Sequence, residues 1–301
     1  MTERPPLVSI LLITMNHALF IEEACRSAVA QSWENIEVIF LDNNSTDGTF
    51  ELGRNILQNS AIKTILLKND EPMGVAKNLN KMVSYASGEY VAILSGDDWW
   101  TADLIEEKVK FIKEKNCDFV LSDGFKYIQD SAKTVSAYSE KKKKMVMHSM
   151  SRFFHANVAG NKTVNVGTFI RTQLLNDYPF DEEINTEDWD MNLRMSFLGF
   201  KPGFLNKKLF FYRVLSTSLS RNWSVMMDSY DRVTSKYIDY IQSDRKLHKE
   251  YLLQKLHFQY EILLSESDSA TEKKLLRKEW KKKKYQLKYK QPILFFKLLT
   301  L

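Results

Sequence analysis

Roughly the first 120 residues alternate between short apolar runs and segments with helical spacing. The apolar run at 8–13 precedes a helical pattern at 18–31, and a second run at 37–41 precedes another at 49–59. Parallel strands need crossover connections between them, and these are usually helices. The alternation therefore predicts an α/β fold with a doubly wound sheet. Further strands are expected at 62–67, 90–94 and 118–122, with helices near 74–86 and 102–115.

Polar residues follow several of these apolar runs directly. They are Thr14 and Asn16, the segment from Asp42 to Asp47, and the segment from Ser95 to Asp98. In open α/β sheets, ligands bind outside the carboxyl ends of the strands. We therefore expect the functional residues to meet at that edge of the sheet.

The second half of the chain has a different pattern. Residues 139–150 are polar and Lys-rich, which predicts an exposed loop or lid. A strand at 164–170, a helix at 188–198 and a strand at 208–212 are expected to follow, and beyond residue 225 the spacing is that of long amphipathic helices. We predict one domain at 1–224, with a first half at about 1–138 and a second half at about 139–224. A helical, Lys-rich extension is expected at 225–301.

Charge and cysteine content exclude several classes of protein. The chain has 43 Lys and Arg against 38 Asp and Glu, and the excess is concentrated at 273–290, so nucleic acid is not an expected partner. Cys25 and Cys117 are too few for a disulfide framework, which favours a reducing cytoplasm. The apolar run at 7–15 is too short to span a bilayer.

Residues 273–301 combine lysines with aromatic residues and the apolar end ILFFKLLTL. Such a segment suits peripheral contact with an anionic membrane, at its inner face in a cytoplasmic protein. The alternative is an ordinary amphipathic helix that packs on the 1–224 domain or on another subunit.

The segment LDNNSTDGT, residues 41–49, directly follows a predicted strand. Asp42 ends the apolar run at a point where a carboxylate can bind a nucleotide base or ribose. The alternative is a plain turn with an Asx-type hydrogen bond.

A second motif, GDDWW at 96–100, also follows a strand and contains two adjacent carboxylates. On extended backbone one of Asp97 and Asp98 faces a cleft while the other bonds the structure behind it. With diphosphate oxygens and water, such carboxylates can complete the coordination of Mg²⁺ or Mn²⁺. The alternative is helix capping by Asp98 or Thr101 ahead of the helix near residue 102.

The third motif is NTEDWDMNLRMSFLGF, residues 185–200. Spacing of four residues predicts that Trp189, Leu193 and Phe197 bury one face of a helix. The same spacing makes Asp190 and Arg194 partners in a structural ion pair.

Glu187 and Asp188 lie at the entry of the same predicted helix. A carboxylate there can accept the proton of an acceptor hydroxyl late in a concerted displacement. The alternative is a purely structural interaction of negative charge with the helix N-terminus.

Together these segments resemble the inverting, family 2 nucleotide-sugar glycosyltransferases of the GT-A fold, over roughly residues 7–220. LVSILLITMNHALFIEEACRSAVAQSWENIEVIFLDNNSTDGT resembles the first strand, helix and second strand of that family. Gly74, Ala76, Lys77 and Asn78 resemble its later pattern of glycine, alanine, a basic residue and asparagine. VGTFIRTQLLNDYPFDEE resembles its acceptor-side strand and turn, and TEDWDMNLRM the segment that carries its catalytic base.

The resemblance implies a GT-A type mixed sheet flanked by helices and a metal-dependent transferase acting in surface polysaccharide or glycoconjugate synthesis. It implies a nucleotide-sugar donor, with a UDP-sugar favoured, and a saccharide or lipid-linked acceptor. Asp188 is the implied general base, and Asp97 the main ligand of Mn²⁺ or Mg²⁺, with Asp98 beside it. The implied nucleotide-sugar site contains Thr14, Asn16, Asp42, Lys77, Asp97 and Glu187.

The chain departs from the family pattern at two positions near the expected metal. Ser95 stands where the family usually has an acidic residue, and Leu215 where a histidine commonly follows the tyrosine and arginine of YRVL. These departures leave open an alternative function, a catalytically degenerate subunit that binds a sugar nucleotide or serves in assembly.

Overall fold

A computed structural model of the protein describes residues 4–215 and 222–289. Its first four strands are β1 (Val8–Thr14), β2 (Ile36–Asp42), β3 (Lys63–Lys68) and β4 (Tyr90–Ser95). Helices α1 (Ile21–Val29), α2 (Thr49–Gln58) and α3 (Val75–Val83) connect them in turn. The strands are parallel and lie in the order β3, β2, β1, β4. The predicted alternation of strands and helices is confirmed.

The two central strands of this region are apolar because both of their faces are covered. All seven residues of β2 are buried, and Ile10, Leu11 and Leu12 of β1 have no exposed surface. Strands covered on both faces of a parallel sheet are expected to be almost continuously hydrophobic. The centre of the apolar run at 7–15 is thus part of the core.

The sheet continues beyond β4 with mixed strand directions. Strands β5 (Trp99–Trp100), β6 (Phe119–Ile128), β7 (Lys133–Ser136), β8 (Phe169–Arg171) and β9 (Pro202–Val214) complete it within the described residues. The order runs from β4 through β8, β6 and β9 to β5, with β7 beside β6. β8 is antiparallel to β4, whereas β9 is parallel to β6. Helices α4 (Leu104–Lys115), α5 (Glu140–Ser149), α6 (Phe153–Val158), α7 (Thr172–Asp177) and α8 (Glu187–Phe197) connect these strands.

The prediction of a loop or lid at 139–150 is wrong, because this segment forms helix α5. The side chain of Ser139 caps that helix by accepting a hydrogen bond of 3.2 Å from the backbone N–H of Lys142. Lysine is a good helix former, and the cap satisfies a backbone donor that would otherwise lack a partner. Polarity indicated exposure correctly but not the absence of a helix.

The strand predicted at 164–170 is mostly irregular, and only its end joins β8. Gly167 has a positive φ of +69°, a left-handed conformation that interrupts an extended strand. The hydroxyl of Thr168 donates 2.8 Å to the carbonyl of Asn165 and closes a local turn. Residues 164–168 therefore form a shaped loop ahead of β8.

Two finer predictions about helices also need correction. Phe197 is 45% exposed, whereas Trp189 and Leu193 are buried, because Phe197 is the last residue of α8. At α4 the N-cap residue is Asp103, which makes no side-chain cap hydrogen bond. The alternative interpretation, in which Asp98 or Thr101 caps this helix, is thus wrong.

The chain divides into two compact units. One contains Met1–Phe153 and Thr163–Leu215, and the other contains Phe154–Lys162 and Ser216–Leu301. The second unit is helical, with α9 (Trp223–Ser235), α10 (Ile238–Ser243), α11 (Arg245–Glu266) and α12 (Ala270–Tyr289). Leu252 and Leu256 of α11 form an apolar cluster with Leu287 of α12. The end of the predicted tail, at 290–301, lies outside the described residues.

Among the residues that the structure describes, no helix has both the length and the apolar character needed to cross a membrane.

Candidate active site

Three of the predicted site segments meet at the carboxyl edge of the parallel strands. Thr14 of β1 is paired in register with Asp42 of β2, and Ile13 is paired with Ser95 of β4. Backbone hydrogen bonds of 2.8 Å extend this pairing beyond the strands, from Asn43 N to Thr14 O and from Gly96 N to Ile13 O. These segments therefore lie together at the carboxyl edge of the sheet, where the sequence pattern predicts that they meet.

The two oxygens of the Asp42 carboxylate differ, and they fit the two alternatives from the sequence, an Asx-type turn and contact with a ligand. Its Oδ1 atom accepts a hydrogen bond of 2.8 Å from Ser45 N, which is the expected Asx-type turn. Its Oδ2 atom is buried and has no hydrogen-bond partner among the described residues. Leaving a buried carboxylate oxygen without a donor is costly. The atom is therefore suited to accept a hydrogen bond from a ligand.

Asn16 joins the loop after β1 to the loop after β2. Its backbone adopts a left-handed conformation with φ of 53°, which asparagine tolerates better than most residues. The Asn16 side-chain oxygen accepts 2.9 Å from Thr46 N, and its own N–H donates 2.8 Å to Ser45 Oγ. Asn16 therefore fixes the conformation of the loop around Asp42 by hydrogen bonds to Ser45 and Thr46.

A network of buried amides supports the next loop, which leads into α3. Asn69 Nδ2 donates to Asn43 Oδ1 at 2.9 Å and to Asn78 Oδ1 at 2.7 Å. Asn43 also bonds both backbone groups of Met73. Lys77 lies next to Asn78 in the first turn of α3 and is exposed. The network thus fixes the helix turn that presents the Lys77 ammonium group.

The turn at 95–98 separates its two carboxylates by burial, as expected. Asp97 is half-buried, and its Oδ1 accepts a hydrogen bond of 2.5 Å from Ser95 Oγ. Asp98 is 5% exposed, and its Oδ1 accepts 2.8 Å from Arg213 N. Burial, followed by the charge of Asp97, raises the pKa of Asp98 well above its usual range. Asp98 therefore supports the turn from behind, while Asp97 is accessible.

Arg213 of β9 fastens this turn to the rest of the sheet. Its guanidinium donates 2.8 Å to the carbonyl oxygen of Asp97, 2.6 Å to Gln129 Oε1 and 2.5 Å to Glu23 Oε2. The same group lies 4.6 Å from the ring centroid of Trp99. Only Arg offers several donors in a fixed plane together with a stacking face.

Gly96 brings the turn into close contact with the loop after β1. A Cβ atom at this position would lie 2.3 Å from Thr14 Oγ1 and 3.0 Å from His17 Nδ1, so no side chain fits there. Burial lowers the pKa of His17, and the negative charge of Asp97 opposes this shift. The His17 ring and the Asp97 carboxylate therefore interact electrostatically. Thr14, His17 and the Asp97 turn therefore form one surface.

Asp188 and Glu187 open helix α8. Asp188 Oδ2 accepts a hydrogen bond of 2.5 Å from Asn165 Nδ2, and Asp188 Oδ1 accepts 2.6 Å from Trp189 N. Asn165 is held in turn by Asn192, whose Nδ2 donates 3.1 Å to Asn165 Oδ1. Burial, and then the charge of Asp188, raises the pKa of Glu187 from 4.5 to about 8. The raised pKa favours the protonated form of Glu187 beside the Asp188 carboxylate.

The loop that carries Asn165 runs along the end of β4. Gly167 N donates 3.1 Å to Ile93 O, and Ile93 N donates 3.1 Å to Thr168 O. Because the two segments are antiparallel, the chain approaches the Ser95 end of β4 as it runs back from Thr168 to Asn165. The loop therefore brings the Asn165–Asp188 pair toward the same edge of the sheet as Asp97.

The donor set fits a divalent metal only if other ligands complete it. Within the described residues, no group of three or more His, Cys, Asp or Glu side chains is arranged to hold a metal ion. Asp97 offers an accessible carboxylate, and Mg²⁺ or Mn²⁺ commonly takes its remaining ligands from phosphates and water. The residues are therefore suited to a metal that binds together with a nucleotide diphosphate.

Sequence reasoning assigned no role to three residues that shape this site. They are His17, Asn165 and Arg213. His17 follows the first strand in TMNH, and Arg213 follows the strand predicted at 208–212, in the segment YRVL. The sequence pattern at these two positions did not indicate what either side chain contacts. Asn165 and Asp188 are 23 residues apart in the sequence, so no local sequence pattern indicates that they are in contact. The Asp190–Arg194 pair, at 3.9 Å, is confirmed as structural.

The chain is similar to known glycosyltransferases in sequence. TuaG of Bacillus subtilis (strain 168) is 36% identical over 124 residues, or 40% of this chain. The chain spans only 47% of that relative. A UDP-Glc:alpha-D-GlcNAc-diphosphoundecaprenol beta-1,3-glucosyltransferase, WfaP of Escherichia coli, is 28% identical over 72% of this chain and 80% of its own length.

Two solved structures share the fold. TarS 1-349 of S. aureus matches with a TM-score of 0.63 and 18% identity, over 93% of this chain and 80% of that 1-349 chain. The mannosyltransferase PcManGT from Pyrobaculum calidifontis matches with a TM-score of 0.64 and 18% identity, over 96% of this chain and 85% of its own. At this identity the likeness shows the fold alone, and it supports the expected GT-A type mixed sheet with a helical C-terminal region.

The family model described as glycosyl transferase family 2 matches residues 9–177, more than half of the chain. This range includes the row formed by Thr14, Asp42 and Ser95 and the loop that carries Asn165. The chain belongs to glycosyl transferase family 2.

Proposed function

We propose that the protein transfers a sugar from a nucleotide-sugar to an acceptor hydroxyl, with inversion at the anomeric carbon. The observation that carries this proposal is the row of Thr14, Asp42 and the Asp97 turn at one edge of the sheet. The sequence similarity of this chain to two glycosyltransferases supports glycosyl transfer as the reaction. Surface polysaccharide or glycoconjugate synthesis is the proposed setting.

The proposed donor pocket contains Thr14, Asn16, Asp42 and Lys77. The buried, unpartnered Oδ2 of Asp42 would accept a hydrogen bond from the base or ribose. The exposed ammonium of Lys77 would contact the diphosphate. TarS has been solved in complex with UDP and with UDP-GlcNAc, and PcManGT with GDP-Man. We favour a UDP-sugar for this chain.

Asp97 is the proposed protein ligand of a divalent cation, with Asp98 buried behind it. PcManGT was solved with Mn²⁺ as well as GDP-Man, which supports Mn²⁺ or Mg²⁺ here. When bound, such a cation stabilises negative charge on the departing nucleoside diphosphate. Ser95 orients the Asp97 carboxylate by donating a hydrogen bond to it.

Asp188 is the proposed general base. It would take the proton of the acceptor hydroxyl as that oxygen forms its bond to the anomeric carbon. The bond between this carbon and the diphosphate oxygen breaks on the opposite face, and its electron pair leaves with the nucleotide. Asn165 fixes the orientation of the carboxylate. Glu187, whose raised pKa favours the protonated form, is proposed to donate a hydrogen bond to the sugar.

Release of free nucleoside diphosphate from a panel of nucleotide-sugars, with Mn²⁺, with Mg²⁺ and with chelator, tests this function. Metal-dependent release from one donor is the expected result and names the sugar. The degenerate-subunit alternative predicts nucleotide binding without turnover for every donor and acceptor tried. Failure to bind any nucleotide would contradict both functions.

The Asp97→Asn variant should lose most of the metal dependence of UDP binding. A neutral amide is a much weaker ligand for a hard cation than a carboxylate is. We expect Mn²⁺ to strengthen UDP binding in the wild type by about tenfold, or about 1.4 kcal/mol, and to have little effect in the variant. Calorimetric titration with and without Mn²⁺ measures this, and an unchanged metal effect would remove Asp97 from the proposed site.

Glu187 should make the protein less stable as the pH rises. Its pKa is raised on folding from 4.5 to about 8, so the folded state binds more protons than the unfolded state between these values. The stability it contributes is fully present below pH 4.5 and is lost as the pH rises toward 8. Urea unfolding at pH 5 and pH 8 should show a smaller loss in Glu187→Gln than in the wild type. Equal losses would contradict the shift.

We also propose peripheral contact with an anionic membrane through α12, which places the enzyme at the inner face of the membrane. This helix carries nine Lys or Arg and two Glu residues. Tyr285 and Tyr289 are 59% and 72% exposed and can enter the lipid interface. Cosedimentation with phosphatidylglycerol vesicles, but not with phosphatidylcholine vesicles, is expected, and equal pelleting with both would contradict it.

A further inference from the structure

Lys108 occupies a core position of helix α4. The other buried residues of this helix are apolar and share its face with Lys108, namely Leu104, Ile105, Val109 and Ile112. Lys108 itself has no exposed surface, so its amino group does not reach water as the ends of lysine side chains usually do. Burying an amino group is costly unless it makes a specific contact.

The contact that Lys108 makes is with the loop ahead of β8. Its Nζ atom donates a hydrogen bond to the backbone carbonyl of Gly167, a buried residue. Burial lowers the pKa of Lys108 to about 7, and no described carboxylate opposes this shift. The hydrogen bond therefore joins a core position of α4 to this loop and accounts for the amino group at that position.

The loop that accepts this hydrogen bond is a tight turn that begins at Asn165. The backbone N–H and the hydroxyl of Thr168 both donate to the carbonyl of Asn165, at 3.2 and 2.8 Å. Gly167, at the third position, has φ of +69°, which is the arrangement of a type II turn. The peptide units of such a turn move together, so holding the Gly167 carbonyl also restrains Asn165.

Close packing holds the same turn against α4 and β5. A Cβ atom on Gly167 would lie 3.0 Å from Leu104 Cδ1 and 3.1 Å from Trp100 Nε1. The turn therefore lies directly on these side chains, and Lys108 adds a directional polar contact to the packing.

Asn165 connects this turn to the proposed general base, since its Nδ2 donates to Asp188 Oδ2 at 2.5 Å. We propose that Lys108 is a positioning residue that holds Asn165, and through it the Asp188 carboxylate, in the orientation needed for proton transfer. Lys108 acts on Asp188 through two hydrogen bonds and one turn. The proposal rests on the proposed function, because it requires Asp188 to be the base.

A purely structural role, in which Lys108 only fills space in the core, is the alternative. An apolar side chain of similar length would fill the same space without the cost of burying an amino group. The two roles differ in what the loss of Lys108 changes. A structural role predicts an effect on stability alone, whereas a positioning role predicts a slower transfer step.

Hydrogen–deuterium exchange of the full-length Lys108→Met variant, followed by mass spectrometry, tests the contact with the turn. Methionine keeps the length and the helix propensity of lysine but donates no hydrogen bond. The amides of Gly167 and Thr168 should exchange at least about tenfold faster than in the wild type, because a buried hydrogen bond that restrains the turn is lost. Unchanged exchange at these amides would overturn the proposal.

Transfer kinetics test the effect on Asp188, with the donor that the nucleotide-sugar panel identifies. In Lys108→Met, kcat should fall by about 10- to 100-fold, because a small misplacement of a catalytic group is enough for such a loss. The KM for the donor and the Kd for UDP should stay within about twofold of the wild-type values, since the hydrogen bond of Lys108 goes to the turn at Asn165. A wild-type kcat would overturn the proposal.

The double variant K108M/N165A shows whether Lys108 acts through Asn165. Its kcat should lie within about twofold of that of Asn165→Ala alone, because the second substitution removes a link that the first has already broken. Losses that multiply would overturn the proposal. Gly167→Ala disturbs the same turn while Lys108 stays in place, since a side chain does not fit there, and it should reproduce the loss in kcat.

Lys110→Met is the matched control, because Lys110 is an exposed lysine of the same helix and pairs with Glu106 at 2.6 Å. It should keep the wild-type exchange and kcat. Val109→Ala removes packing from the buried face of α4 and should lower the midpoint of urea unfolding without changing kcat. An equal loss of kcat in Val109→Ala would assign the effect to a weakened helix and overturn the proposal. Absence of turnover in the wild type contradicts the proposed function instead, and the exchange measurement still decides whether Lys108 holds the turn.

Discussion

The Asp188→Asn variant should lose sugar transfer by a factor of about 10² to 10⁴, the usual contribution of a positioned general base. An amide has the shape of the carboxylate but cannot accept the proton of the acceptor hydroxyl. Asn165 lies 2.5 Å from Asp188 Oδ2 and donates to it, so the amide of the variant would present its oxygen to Asn165. Release of nucleoside diphosphate in the presence of acceptor measures the loss.

UDP binding should change little in the same variant, because Asp188 is proposed to contact the acceptor rather than the nucleotide. Glu183→Gln is a suitable control, since Glu183 is an exposed carboxylate shortly before α8. That variant should retain full activity. Wild-type turnover in Asp188→Asn would remove Asp188 from the role of base.

The Arg213→Met variant should reduce the free energy of unfolding by about 3–5 kcal/mol, as expected when one partner of a buried charged network is removed. Arg213 is only 5% exposed, yet its guanidinium bonds the carbonyl of Asp97 and the side chains of Gln129 and Glu23. Methionine can fill part of the volume but offers none of these donors. Urea unfolding followed by circular dichroism measures the change.

Arg26→Met provides the matched control, since Arg26 also pairs with a glutamate, Glu22, at 2.9 Å. Both side chains of that pair are largely exposed, so its removal should cost less than about 1 kcal/mol. Arg213→Lys should recover only part of the loss, because lysine keeps the charge without the planar set of donors. A loss below about 1 kcal/mol in Arg213→Met would contradict the assigned role.

The parallel half of the sheet was predictable because its rules are local. Apolar runs, helical spacing and polar residues after each run located the strands through β4 and brought Thr14, Asp42 and Ser95 to one edge. Residues at the carboxyl ends of parallel strands lie at the same edge of the sheet, and this does not depend on how the side chains pack. The site residues themselves stay proposals, since their roles depend on contact with a ligand.

Features formed by long-range contacts were not predictable from the sequence. Helix α5 was interpreted as a loop because polarity indicates exposure and not secondary structure. The irregular segment at 164–168 depends on Gly167 and on its pairing with Ile93, which no local pattern contains. Arg213 contacts Glu23 across 190 positions, so its role emerged only once both residues were in the fold.

The buried amides of Asn43, Asn69 and Asn78 restrict which substitutions evolution can accept at this site. Each amide satisfies hydrogen-bonding groups of another, so replacing one by an apolar residue leaves its neighbours with orphaned polar groups. Two or three of these positions therefore have to change together for a new combination to be tolerated. Among related chains, the loop after β2 and the start of α3 should be inherited as one block, with correlated substitutions at the three positions.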